Sequence, residues 1–167
     1  MRKLRLLGSL ILWICLSGFS DPRGYYTLDI PPNWSFVPSL STADISDYAP
    51  HGETRQGGIV IMRDAKYPAG TTLEDIFKTY RNPDSSDISE EKVLVAGREC
   101  LHAVVASHGR NGIPARGHYL VCDLLGAPYP NATVSFLITV GAAANNNYGI
   151  DADAVFWTLI QSIKWTK

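Results

Sequence analysis

From Thr133 to Val140 the side chains Val134, Phe136, Ile138 and Val140 alternate with Thr133, Ser135, Leu137 and Thr139. A period of two marks a strand whose successive residues face opposite sides of a sheet, here with one side fully apolar. Two further segments of the same kind precede it. Lys92–Gly97 reads as one strand running on into Cys100–Ser107, and Gly117–Leu124 follows. Turn-rich residues at Gly109–Gly112 and Gly126–Asn131 separate these from one another and from the last strand, Ala132–Val140.

Ahead of this block, Tyr26, Leu28 and Ile30 share one face of a strand and Tyr25, Thr27 and Asp29 the other, until Pro31 and Pro32 remove the donors that pairing needs. Trp34 follows as a core anchor, because an indole buries more area than most side chains can. Ser39–Gly58 is polar, with a short strand near Asp47–Ala49. Its His51, Glu53 and Arg55 sit on a connection that is read as solvated, although loops are also where recognition surfaces lie. Gly58–Asp64 reads as another strand.

Two helices complete the pattern. Leu73, Ile76, Phe77 and Tyr80 form an apolar stripe, Thr72 and Asp75 make a capping pair, and Asn82-Pro83 ends the helix. The second helix is expected from Asp151 to Lys164, capped by Asp151, with Ala152, Val155, Phe156, Leu159, Ile160 and Ile163 facing the sheet. Asp151 and Asp153 belong there because a helix start favours acids. Pro83–Glu91 lacks the alternation and central glycine of a calcium loop and reads as a solvated acidic loop. Strands apolar on both faces, with one helix before and one after, predict an α+β fold: an antiparallel sheet flanked by helices on both faces, an α/β/α sandwich.

Composition changes the picture at the N-terminus. Arg2, Lys3 and Arg5 precede the apolar run Leu6–Leu16, and small residues Ser17, Gly18 and Ser20 follow, in the order of an export signal. The apolar run is shorter than the roughly 20 residues a transmembrane helix needs. Cleavage is expected after Ser20, leaving 21–167 as a single domain with no transmembrane segment, exported to a periplasmic or extracellular space. Lipid anchoring through Cys15 is disfavoured, since Ile14 stands where a small residue normally precedes a lipid-bearing cysteine. The leader carries three of the 15 basic residues and none of the 16 acidic ones, so the remaining chain has a net charge of −4. It has no basic cluster, which argues against nucleic acid or anionic lipid as partners. At this length the domain can bury a core without a metal or disulfide staple.

One constellation carries candidate chemistry: Cys100, His102, His118 and Cys122. On paired antiparallel strands the indices of facing residues have a constant sum, and its parity decides which side chains share a face. A sum of 222 sets Cys100 opposite Cys122, so that a disulfide can form in an oxidising compartment. It also puts His102 on that face as a third metal ligand, with His118 two strand steps too far away. A sum of 223, as a two-residue Asn111-Gly112 turn would give, separates the cysteines as buried free thiols and groups Leu101, Ala103 and Val105 with Leu120, Cys122 and Leu124. Pro114 and the extra glycines favour a longer loop, so both registers stay open, and no metal or other cofactor is assigned.

For catalysis the common motifs are missing: no Gly-x-Ser-x-Gly, no His-Glu-x-x-His and no phosphate-cradling glycine loop. Ser107 and His108, adjacent on a strand, point to opposite faces and make no nucleophile–base pair. The sequons at Asn33 and Asn131 matter only in a eukaryotic secretory route.

The segment Tyr26-Thr27-Leu28-Asp29-Ile30-Pro31-Pro32-Asn33-Trp34 resembles the opening of PsbP-like and DcrB-like proteins: an aromatic, an alternating strand, proline, then tryptophan. A helix near Leu73, a strand entering Gly97, long hairpins and a last helix ending in Ser162-Ile163 agree in order, so the resemblance spans roughly Gly24–Trp165. It implies a sandwich of antiparallel sheet between helices and a generally non-catalytic role in binding or assembly. No binding residue is carried over, because the matching positions are core positions. The expected function is an exported, non-enzymatic module that recognises a protein partner through its loops and sheet edge. The alternative is a metal-binding or thiol-redox envelope protein using Cys100, Cys122 and His102.

Overall fold

The computed structural model describes residues 17–54, 57–68, 70–108, 113–124, 133–143 and 148–166. The charged and apolar parts of the leader up to Leu16, including Cys15, lie outside these residues. So do Arg55, the turns at Gly109–Gly112 and Gly126–Asn131, and the sequon asparagine Asn131.

Among the described residues, two antiparallel sheets organise the fold. The smaller contains β1 (Ser17–Ser20), β2 (Tyr26–Ile30) and β10 (Lys164–Trp165), in the order β1-β2-β10. The larger has the order β3-β4-β5-β9-β8-β7-β6. Its members are β3 (Trp34–Phe36), β4 (Ile45–Pro50), β5 (Gly57–Tyr67), β6 (Ser86–Val95), β7 (Arg98–His108), β8 (Pro114–Asp123) and β9 (Thr133–Ala143). Two helices, α1 (Leu73–Tyr80) and α2 (Ala152–Gln161), complete the α+β architecture.

Alternation along β7 feeds two separate cores. Cys100 packs with Leu120, Cys122, Ile138, Val140 and the α2 residues Phe156, Leu159 and Ile160. Its neighbour Leu101 packs instead with Ala103, Val105, Val121, Leu137 and the α1 residues Ile76 and Phe77. The smaller sheet joins the first core through Tyr26, Leu28 and Ile30, the alternate residues of β2, all but fully buried. Trp34 is buried in the same cluster.

Both helix starts follow from their sequence. Thr72 and Asp75 form a reciprocal capping box at α1, and hydrogen bonding from Thr72 holds the Asp75 carboxyl below the ordinary range. The Asp151 side chain accepts from the Ala154 amide at the start of α2.

Several boundaries differ from the expectation. The segment from Lys92 to Ser107 is two strands, because Ala96 and Gly97 both take positive φ (46° and 86°) and make a two-residue turn between β6 and β7. The supposed acidic loop continues into β6 from Ser86: Glu90 and Glu91 belong to a strand at the edge of the sheet. The closing helix stops at Gln161, and Lys164 and Trp165 instead pair with β2. Ahead of β2, Ser17–Ser20 pairs with it, and Phe19 lies in the core 5.7 Å from the Tyr26 ring.

Candidate functional site

The register of β7 and β8 is the even one: Cys100 faces Cys122, and every further pair keeps the index sum of 222. A disulfide joins the two cysteines, whose Cα atoms are 4.4 Å apart and whose side chains are fully buried. That separation suits a non-hydrogen-bonded pair, the closest approach an antiparallel ladder offers. With both sulfurs bonded to each other, Cys100, Cys122 and His102 present no thiolate set for a metal. Among the described residues no group of three or more His, Cys, Asp and Glu side chains is placed to hold one.

The same parity puts His102 and His118 on one face. They are diagonal neighbours, His102 opposite Leu120 and His118 opposite Val104, and long side chains reach across such diagonals. The expectation that His118 lies too far away is therefore corrected: His102 Nε2 and His118 Nδ1 are 3.2 Å apart. The rings are nearly parallel, and both stack on Phe156 of α2, at centroid distances of 4.6 Å and 4.9 Å. Trp157 meets the His102 ring edge-on at 5.1 Å.

A carboxylate stands at each end of this pair. Glu91 Oε1 on β6 is 3.1 Å from His102 Nδ1, and Asp153 Oδ1 on α2 is 3.0 Å from His118 Nε2. The second contact is electrostatic rather than an aligned hydrogen bond, since Nε2 has no partner in line with its N–H direction. Arg116 reaches the same Asp153 oxygen at 3.3 Å. The chain Glu91–His102–His118–Asp153 thus ties β6, β7, β8 and α2 together through two rings that are 3% and 1% exposed.

The Glu91–His102–His118–Asp153 chain contains three contacts to ring nitrogens, and two neutral imidazoles supply only two N–H protons. If His102 donates to Glu91 and His118 donates to His102, then His118 Nε2 is left bare beside a carboxylate oxygen. Running the donors the other way leaves His102 Nδ1 bare beside Glu91. One added proton satisfies every contact, at the cost of burying an imidazolium against Phe156. Burial is the largest influence on His118 and pushes its pKa down; Asp153 and Asp151 oppose this, and His102 and Arg116 reinforce it. Burial therefore opposes the added proton on His118, and the four side chains serve to join the sheet to α2.

Elsewhere, His51 of the Ser39–Gly58 connection packs its ring 4.9 Å from that of Tyr148. The Tyr148 hydroxyl hydrogen-bonds Glu53, which raises its pKa. Sequence reasoning missed Glu91 and Asp153 as partners of the histidines. Parity could have located the His102–His118 diagonal, whereas nothing local in the sequence links Glu91 or Asp153 to it.

The two sheets and two helices in this order are the PsbP-like fold. Similar solved structures are LpqN of Mycobacterium tuberculosis, involved in cell envelope biogenesis, and the cyanobacterial PsbP, CyanoP, of Synechocystis. LpqN has a TM-score of 0.61 at 11% identity, covering 92% of this chain and 86% of that one. CyanoP has a TM-score of 0.58 at 16% identity, covering 90% and 92%. The Ran-binding protein Mog1p of Saccharomyces cerevisiae is similar at a TM-score of 0.56 and 10% identity, covering 91% and 96%. No family model and no curated protein matches the sequence.

Proposed function

We propose that the protein is an exported, non-catalytic binding or assembly module that recognises a protein partner through its loops and the edges of its large sheet. The observation that carries this reading is the exposure of large apolar side chains at both end strands. Ile88 and Leu94 on β6 are 53% and 78% exposed, and Phe36 on β3 is 50% exposed. A strand end presents unpaired backbone groups, and apolar side chains beside them favour addition of another chain. The roles of the similar structures, envelope biogenesis and Ran binding, agree in kind. The helices cover opposite faces of the large sheet in this reading, as adjacent residues of β7 packing on different helices support. That leaves edges and loops for contact.

Residues 1–20 act as the export signal in this reading. Cleavage after Ser20 would remove β1 and Phe19, so N-terminal sequencing of the exported protein bears directly on that boundary. The partner is tested by pull-down from envelope extracts with the wild-type chain and with a Phe36→Lys, Leu94→Lys variant. One protein enriched by the wild type and lost with the variant is the expected result. Equal recovery with both chains, or a blank across growth conditions, would overturn the reading. No helix of the described residues is long and apolar enough to cross a membrane.

A further inference from the structure

We infer that β6 pairs with β6 of a second copy of this chain, antiparallel about a two-fold axis through Glu91, which joins two large sheets into one. This names the partner at one edge and rests on the sheet-edge reading above.

The geometry starts at the Ala96-Gly97 turn. A two-residue turn with both central φ values positive makes its flanking pair, Val95 and Arg98, a hydrogen-bonded one. Hydrogen-bonded pairs recur every second residue, so Val93 and Glu91 also direct their backbone groups toward β7. Glu90, Lys92 and Leu94 therefore direct theirs outward, away from the sheet. The 4.4 Å Cα separation of Cys100 and Cys122 agrees, because Cys100 bonds to β6 on one side and so makes a non-hydrogen-bonded pair on the other.

The outward set reads Ile88, Glu90, Lys92, Leu94, and it complements itself when reversed. With the axis at residue 91, Glu90 of one copy faces Lys92 of the other twice over, and Ile88 faces Leu94 twice over. Opposite charges meet at the centre and the two most exposed apolar residues of β6 meet at each end. Moving the axis by one residue to either side breaks this match: at residue 90 it sets Glu90 against itself and Ile88 against Lys92, and at residue 92 it sets Lys92 against itself and Glu90 against Leu94. In the assigned register Glu91 meets its own copy on the axis. Each Glu91 is turned back to His102 of its own chain, 3.1 Å from Nδ1, which holds the two carboxylates apart.

The edge is also partly guarded. A bulge between Asp87 and Ser89 interrupts the ladder with β7, so Ile88 acts as an apolar clasp rather than as a ladder residue. Lys92 also bonds Glu99 of its own hairpin at 2.9 Å, an exposed contact that the second copy's Glu90 can share. Pairing along one strand covers less surface than a permanent dimer does, so association is reversible and concentration-dependent.

Sedimentation velocity over a concentration series tests this with the wild type, Glu90→Lys, Lys92→Glu and the double swap. Each single reversal puts two like-charged pairs at the interface and should weaken dimerisation about tenfold or more. The double swap regenerates both pairs and should return the constant to within about threefold of wild type. A chain that stays monomeric at every concentration overturns the inference, as does a dimer indifferent to the single reversals or one the double swap fails to restore. Circular dichroism of each variant confirms folding. A monomeric chain that still captures an envelope protein would overturn self-pairing and leave the proposed function standing. A swap-sensitive dimer with blank pull-downs would do the reverse.

Discussion

Reducing the Cys100–Cys122 bond while leaving both side chains in place isolates what the cross-link contributes. The cysteines are separated by 22 positions, and closing a ring of that length removes unfolded-state entropy worth about 3 kcal/mol at 25 °C. No cavity is created, and a buried thiol packs as a small apolar group, so little else in the native state changes. The reductant cannot reach the fully buried bond in the native chain, so the protein is unfolded in reductant and refolded before measurement. Urea unfolding followed by tryptophan fluorescence then compares the two forms. The reduced form should lose about 3 kcal/mol, which corresponds to roughly 10 °C in Tm for a domain of this size. It should also show a steeper urea dependence, because its unfolded chain is less constrained. Coincident midpoints would refute the entropic reasoning. An untreated chain whose mass fails to rise by two hydrogens on reduction would refute the bond itself.

Stability should fall as the medium is acidified below neutral. His118 has a folded pKa below its unfolded value of 6.5, so the unfolded chain takes up the proton first. Its contribution is fully present above about pH 6.5 and is lost as pH falls through that value toward the folded pKa, with a slope of up to about 1.4 kcal/mol per pH unit. Urea midpoints measured from pH 7.5 to 5 should show this slope, and His118→Leu should flatten it; the same slope in both chains would refute the assignment. Phe156→Ala removes the ring on which both histidines stack and should cost about 3–5 kcal/mol by urea unfolding. A loss under about 1 kcal/mol would refute the packing account. A Cβ at Gly57 would meet the Gly141 carbonyl oxygen at 2.7 Å, so Gly57→Ala should lower Tm by several degrees, about 1–3 kcal/mol of overpacking. An unchanged Tm would show that β5 and β9 part there freely.

The legible parts of this chain are those governed by near neighbours. Alternation at Tyr26, Leu28 and Ile30 placed the buried face of β2, and the Thr72–Asp75 pair and the Ile76–Phe77 stripe placed α1 and its inner side. Asp151 marked the start of α2 for the same reason: a cap satisfies amides within its own turn. β6 was read as loop between Ser86 and Glu91 because it carries charged side chains, as befits an end strand, and these hide the alternation that reveals inner strands.

What the sequence by itself determined was the α+β class, the helices with their caps, and the choice between two parities for β7 and β8. Only the tertiary structure decided between them. Parity turns on a loop whose length is not encoded in either strand, and one residue more or less moves every side chain to the other face. The even register brought Cys100 to Cys122 and His102 to His118, and packing of α2 and β6 against that face then delivered Asp153 and Glu91. A contact between positions 91, 102, 118 and 153 depends on how four elements dock, and local periodicity carries no record of that.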